Sequence, residues 1–523
     1  MAAMWIILVV YLLLMVGIGV YYRRKTANVT DFVLGGRTLG PWFTAFAYGT
    51  SYFSAVIFVG YAGRFGWSYG VASTWVGIGN AVIGSLLPWL ILGKRSRVMS
   101  KHLNAKTMPE FFEKRYNSKL LKTISALIIF VFLIPYTASV YNGLSRLFEK
   151  GFGIPYKYCI IVMAVFTAIY VILGGYKATA LSDFIQGVFM LIGISAVVLA
   201  VLNKNGGLTE SIDQMSQIPA ADGSAGKFAD LFGPDPINLL GVVLLTSLGT
   251  WGLPQMVGKF YAVKDDKSVK IGTIVSTVFA VVVAGGCYFL GGFGRLFVDA
   301  TAEGAPATGF DGIVPEMMNA IPDLLFGIVI VLVLSASMST LSSLVLTSSS
   351  VLTIDLIKPF TKKMSEKKEL LIMRIFIGVF LLISVILAII TLENPTTIIS
   401  TLMSISWGAL AGAFLAPYLY GLYSKKITKA AVAACFISGV GLTVAHMFYF
   451  TFGKHTLEIG GLAIHSAINA GAITMIFGLI LVPVVSLFTR NKKEDQEYYN
   501  EVFECYQKEE QDSAENAFEL EQN

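Results

Sequence analysis

Apolar runs of about twenty residues recur along the whole chain, and they restrict the fold more than any single motif does. A helix of that length matches the hydrocarbon thickness of a bilayer, where only helices and closed barrels satisfy every backbone polar group. The runs lie at 4–22, 40–65, 70–93, 120–147, 155–175, 179–202, 237–261, 268–297, 322–357, 371–391, 396–422, 429–452 and 461–488. They predict an all-α polytopic membrane protein with about 13 transmembrane helices. Composition agrees: 55% of the 523 residues are hydrophobic and 14% are charged, far from the balance of a soluble globule. The first run is not read as a cleaved signal peptide, because it lacks a basic n-region and its charges, Arg23, Arg24 and Lys25, follow it.

Lysine and arginine set the expected orientation. Lys94–Lys122 holds nine of them and Lys358–Arg374 holds six, and the stretches Lys259–Lys270 and Lys425–Lys429 are also basic. Phe297–Asp323 carries Asp299, Glu303, Asp311, Glu316 and Asp323 with no lysine or arginine. The N-terminus is therefore expected outside and the C-terminus inside. The basic residues cluster in short loops, so the positive balance is no sign of nucleic-acid binding. From Arg490 the composition turns to Glu, Gln, Lys and Asn without a sustained apolar face, which predicts a cytoplasmic, disordered tail over 489–523.

Several chemistries are disfavoured. The cysteines at 159, 287, 435 and 505 have no paired spacing, and the histidines at 102, 446, 455 and 465 do not cluster. Neither disulfides nor a transition-metal site are expected. No GxxxxGK[ST] run occurs, which argues against an ATP-driven pump. An enzyme lacks a catalytic dyad here, and a channel lacks a selectivity-filter motif.

One span is unusually rich in hydroxyls: Ala336-Ser337-Met338-Ser339-Thr340-Leu341-Ser342-Ser343. In a helix, Ala336, Ser339, Thr340 and Ser343 share one face. Small residues favour close helix packing, which is one reading. The other is that neutral oxygens with no basic residue on that face suit a hard, weakly charged cation such as sodium. Two further spans contain breakers at mid-depth, Tyr48–Ala55 and Thr246–Gln255, the latter with Gly249, Gly252 and Pro254. They fall five helices apart. Paired interruptions in two halves of a chain point to the binding site of an inverted-repeat transporter. At Gly174–Gln186 a turn leads into a span, and Asp183 falls within roughly one turn of its expected inner end. Asp183 either caps that helix or handles an ion or proton.

Three motifs together resemble the sodium:solute symporter family over about residues 5–488. Asp31–Gly40 is similar to its "D-[YF]-x-L-G-G-R-x-L-G" run, Gly174–Gln186 to "G-G-x-x-A-x-x-x-[ST]-D-x-x-Q", and Ala336–Thr340 to "A-x-x-S-[ST]". Within the family the chain looks most like the proline and pantothenate symporters. The resemblance implies a leucine-transporter-type 5+5 inverted-repeat core at 40–422, an extra helix at 4–22 and two more within 429–488. It also implies sodium held by the carbonyls of Thr50, Phe53 and Ala336 and the hydroxyls of Ser339 and Thr340. A second sodium would use Asp183, Ser339, Ser342 and Ser343. By position the solute pocket draws on Tyr52, Ser54, Tyr136, Thr250, Trp251, Gln255 and Trp407.

The chain departs from the proline members, which carry an aspartate where Tyr52 stands. It also lacks the amide and acidic residues of the sugar members, having Ala55, Val56 and Ile57 instead. Hydroxyls and half-helix N-termini without an acid suit a carboxylate-bearing solute. The implied function is sodium-coupled import of a small organic solute such as an amino acid, pantothenate or a monocarboxylate. Its partners are the solute, Na+ and the bilayer of a bacterial plasma membrane, with no cofactor beyond the coupling ion. The alternatives are a sodium-linked transporter of a non-carboxylate solute and a transporter-like membrane sensor.

Overall fold

The computed structural model describes residues 2–23, 28–319, 321–361, 364–392, 399–489 and 492–522. Arg24, Lys25, residues 396–398 of the eleventh expected span and Arg490 lie outside the described residues. The chain is almost wholly helical, apart from a two-stranded antiparallel ribbon pairing Glu458–Ile459 with Leu462–Ala463. Among the described residues, nine helices are long and apolar enough to cross a membrane, or ten if one bent pair counts as a span. Two of the nine, Val56–His102 and Tyr156–Lys204, have 47 and 49 residues. At about 1.5 Å per residue each would reach about 70 Å, far beyond a hydrocarbon layer about 30 Å thick. Glycines divide them. Gly70 (φ 62°) lies so close to the Phe228 carbonyl that a Cβ there would stand 2.1 Å from its oxygen. Gly175 (φ 57°) turns the chain against Phe32. Both positions combine positive φ with a close approach, which only glycine tolerates.

The two interrupted spans are broken as their sequences imply. In the first broken helix, Pro41–Tyr52 ends at Phe53, whose backbone is extended (φ −87°, ψ 118°). The helix resumes after Ser54, whose hydroxyl accepts the Val56 amide at 3.2 Å and whose carbonyl accepts those of Ile57 and Phe58. In the second, Pro236–Gly252 and Pro254–Tyr261 are separated by extended Leu253 and bent by 46°. Pro254 opens the second segment, where its missing N–H costs no helical bond.

A wide turn at Val82–Leu86, in which the Leu87 amide bonds the Val82 carbonyl, fastens both breaks. Such π-turns leave carbonyls outside the regular ladder. Gly84 O accepts Tyr48 Oη at 3.0 Å and Thr250 Oγ1 at 2.9 Å, and Ile83 O accepts Trp251 Nε1 at 2.8 Å. Near the other end of the first broken helix, the Arg37 guanidinium donates to the carbonyls of Ser100, Ala105 and Tyr261. The glycine-rich run before that helix is thereby pinned to the end of the second.

The tail departs from expectation. Lys493–Gln522 is a helix, and its first half docks on the bundle. Tyr499 and Val502 are buried, Arg115 lies under the rings of Tyr499 and Phe503, and Arg97 pairs with both Asp266 and Glu509. Tyr498 and Tyr506 donate to the carbonyls of Lys114 and Leu422. Polar composition hid this helix because its docking uses aromatics stacked on arginines in place of an aliphatic stripe. Tyr499→Ala should lower the melting temperature of the detergent-purified protein by several degrees, whereas exposed Glu510→Ala should leave it within about a degree. Equal melting curves for both variants would mean the helix does not dock.

Candidate functional site

The hydroxyl-rich span folds as the helix Asp323–Val351 and packs against the first broken helix. Its hydroxyl face meets the break directly. Ser339 Oγ donates to the Thr50 carbonyl at 3.1 Å, and Thr340 Oγ1 donates to the Phe53 carbonyl at 3.1 Å. Ser339 Oγ also lies 3.0 Å from the Ala336 carbonyl. All five residues are fully buried. The extended backbone at Phe53 turns its carbonyl out of the helical ladder, and the i, i+3, i+4 spacing brings the other helix's oxygens to it. Five neutral oxygens thus meet in two adjacent hydrogen-bonded sets, Ser339 with Thr50 and Ala336 and Thr340 with Phe53, with no formal charge among them. Hard cations take oxygen ligands of this kind, and a set without carboxylates favours a monovalent ion over a divalent one. Packing and ion binding are not exclusive here: the small side chains let the helices approach, and that approach assembles the oxygens.

The residues expected around a second ion are arranged otherwise. Asp183 lies eight residues beyond the Gly175 turn and is fully buried, so it is neither hydrated nor a first-turn cap. It faces Lys259, whose Nζ stands 3.7 Å from Asp183 Oδ2 and donates to Ser343 Oγ at 3.0 Å. Ser343 Oγ lies 2.8 Å from Ser51 Oγ of the first broken helix. Ser342 donates to the Ser339 carbonyl. Counting Lys259 in a basic loop missed this contact. The lysine sits in the buried last turn of Pro254–Tyr261, with its ammonium 5.0 Å from the Tyr176 ring centroid. The available signal was its position five residues after Pro254, still inside an apolar run.

The seven expected solute-pocket residues are all buried but separate into three groups. Tyr136 and Trp407 meet edge to face with ring centroids 5.9 Å apart, and Tyr52 neighbours Tyr136. Trp407 lies across Gly249, where a Cβ would come within 2.4 Å of its ring. Tyr288, which the sequence did not single out, adjoins Tyr52, and Asn80 adjoins Tyr288. Tyr52 Oη has no hydrogen-bond partner among the described residues, and Tyr136 Oη and Tyr288 Oη have only Trp407 and Asn80 beside them, too poorly aligned for a regular hydrogen bond. By contrast, Ser54, Thr250 and Trp251 direct their polar atoms into the backbone, the first at the break and the others at the Val82–Leu86 turn. Gln255 lines a different cavity, shared with Lys106, Thr107, Lys259 and Ser343.

The sodium:solute symporter family model matches residues 32–439. Sodium/proline symporters of Staphylococcus aureus, for example from strains JH9 and Mu3, are 32% identical over 479 residues, covering 88% of each chain. A Na+-coupled sialic acid symporter in a substrate-bound, outward-open state superposes with a TM-score of 0.71 at 18% identity, over 94% of this chain and 99% of that one. Mhp1, a nucleobase-cation-symport-1 family transporter in a closed conformation, gives 0.51 at 13% identity over 91% and 100%. These two likenesses are of fold.

If the five-oxygen cluster holds sodium, Ser339→Ala with Thr340→Ala removes two of five ligands. Binding of 22Na+ to the purified protein should weaken at least about tenfold, about 1.4 kcal/mol, with the melting temperature little changed. Unaltered affinity in the folded double variant would remove the cluster from the ion path.

Proposed function

The chain belongs to the sodium:solute symporter family, and on that premise we propose that it imports a small carboxylate-bearing solute together with sodium by alternating access. It is a multi-pass membrane transporter coupled to sodium, not an enzyme. The observation that carries the solute class is the group of neutral donors around Tyr52, Tyr136 and Trp407, which contains no acid. A carboxylate accepts hydrogen bonds from phenol, indole and amide N–H groups, and it is favoured where broken helices begin anew. An amino acid such as proline, pantothenate or a monocarboxylate fits this chemistry. Tyr52 stands where the proline members carry an aspartate, so the requirement for an amino group on the solute is weaker here.

Sodium binds Thr50, Phe53, Ala336, Ser339 and Thr340 in this reading. Each sodium moving inward gains about 2.3 kcal/mol per 100 mV of membrane potential. The ion site shares the first broken helix with the solute cluster, Thr50 and Phe53 flanking Tyr52, and this adjacency couples the two gradients. The charge pattern and the divisions at Gly70 and Gly175 support a reading of thirteen spans with an outside N-terminus and an inside C-terminus. The bacterial plasma membrane is the expected location.

Two measurements test this. In proteoliposomes with a sodium gradient, carboxylate solutes should be taken up, and their amides or esters should not compete. Uptake of a neutral sugar or polyol with no competition by carboxylates would overturn the solute class. Single cysteines at Ala307 and Gln507, in a background without the native four, should label from opposite faces of the membrane. Labelling from the same face would overturn the thirteen-span arrangement.

A further inference from the structure

Lys259 is a buried basic residue in the last turn of the helix Pro254–Tyr261. Its ammonium touches the second broken helix through its own backbone, the hydroxyl helix through Ser343, and the helix after Gly175 through Asp183. Ser343 relays the contact to Ser51 on the first broken helix at 2.8 Å. A further cation between Asp183 and the Ser342–Ser343 pair would compete with the Lys259 ammonium for Asp183 Oδ2 and Ser343 Oγ.

Charge points the same way. Asp183 and Lys259 together carry no net charge, and both are buried. Among the described residues no second carboxylate lies within salt-bridge distance of Lys259 to balance an added ion. A sodium placed beside them would leave a net positive charge in low dielectric, facing an ammonium a few ångströms away, which is strongly unfavourable. The Thr50–Thr340 cluster carries no such ammonium.

We propose that Lys259 is a tethered cation that takes the place of a second sodium at Asp183 and Ser343, so that each chain binds one sodium and not two. The lysine cannot leave with the solute. It therefore supplies the charge that holds the four helices together there without drawing a second ion from the gradient. This inference rests on the reading of Ser339 and Thr340 as sodium ligands.

The test is the number of 22Na+ ions bound at saturation by the purified full-length chain. Wild type should bind one. Lys259→Met keeps the side-chain length, strips the charge and leaves Asp183 without its partner, so this variant should bind two. Lys259→Met with Asp183→Asn should return to one, and Lys259→Arg should remain at one. Two ions on wild type would overturn the proposal while leaving the Ser339–Thr340 site standing, as would a folded Lys259→Met protein that stays at one. Should Lys259→Met fail to fold, wild type and Lys259→Arg still decide, since two ions on either refute it. No ion on wild type would instead refute sodium binding at Ser339 and Thr340.

Discussion

Inside hydrocarbon a backbone amide or carbonyl has no water to turn to, and the rest of this structure follows from how the chain meets that demand at two places where its helices stop. Phe53 and Leu253 are extended residues in the middle of spans. Each leaves carbonyls that the helical ladder no longer satisfies. At the first break the hydroxyls of Ser339 and Thr340 supply donors to the freed carbonyls of Thr50 and Phe53, and the oxygens so assembled are those of the proposed sodium site. At the second break the side chains of Thr250 and Trp251, just before Gly252, seek the wide turn at Val82–Leu86, which has carbonyls to offer. The irregularity at one helix is thus matched by an irregularity or a hydroxyl on its neighbour.

The same economy explains why buried charge is sparse and paired. Asp183 and Lys259 meet across three helices, and Thr107 and Lys122 both address the carboxylate of Asp355. Arg37 uses only carbonyls and a hydroxyl as partners. An unpaired ion at any of these positions would be expelled toward water or would neutralise.

Much of this was legible in the residues. The breaks were visible because Gly49, Gly252 and Pro254 stand in otherwise apolar runs, and the hydroxyl face because 3.6-residue periodicity aligns Ser339 and Thr340 whatever surrounds them. The Gly175 turn followed from paired glycines. Other features depend on tertiary distance and left little trace. Nothing local tells that Thr250 and Trp251 turn toward Gly84 and Ile83 and not toward Tyr52 and Tyr136, or that Gln255 faces another cavity. Lys259 looked like the first charge of a loop, since the position of a helix end is read with an error of a turn. The docked tail was hidden because arginine–aromatic stacking does not raise hydrophobicity.

The Val82–Leu86 turn has a mechanical corollary. Tyr48, Thr250 and Trp251 tie both broken helices to one short stretch of backbone, so the three segments turn as a lever. The carbonyls of Thr50 and Phe53 ride on that lever, and the hydroxyls of Ser339 and Thr340 belong to the helix it swings against. Any rotation that parts the two surfaces lengthens the Ser339–Thr50 and Thr340–Phe53 contacts together. With sodium at the proposed site, lever angle and ion occupancy would be one coordinate, and the cation would bias the angle by as much as its affinity differs between the two ends of the swing.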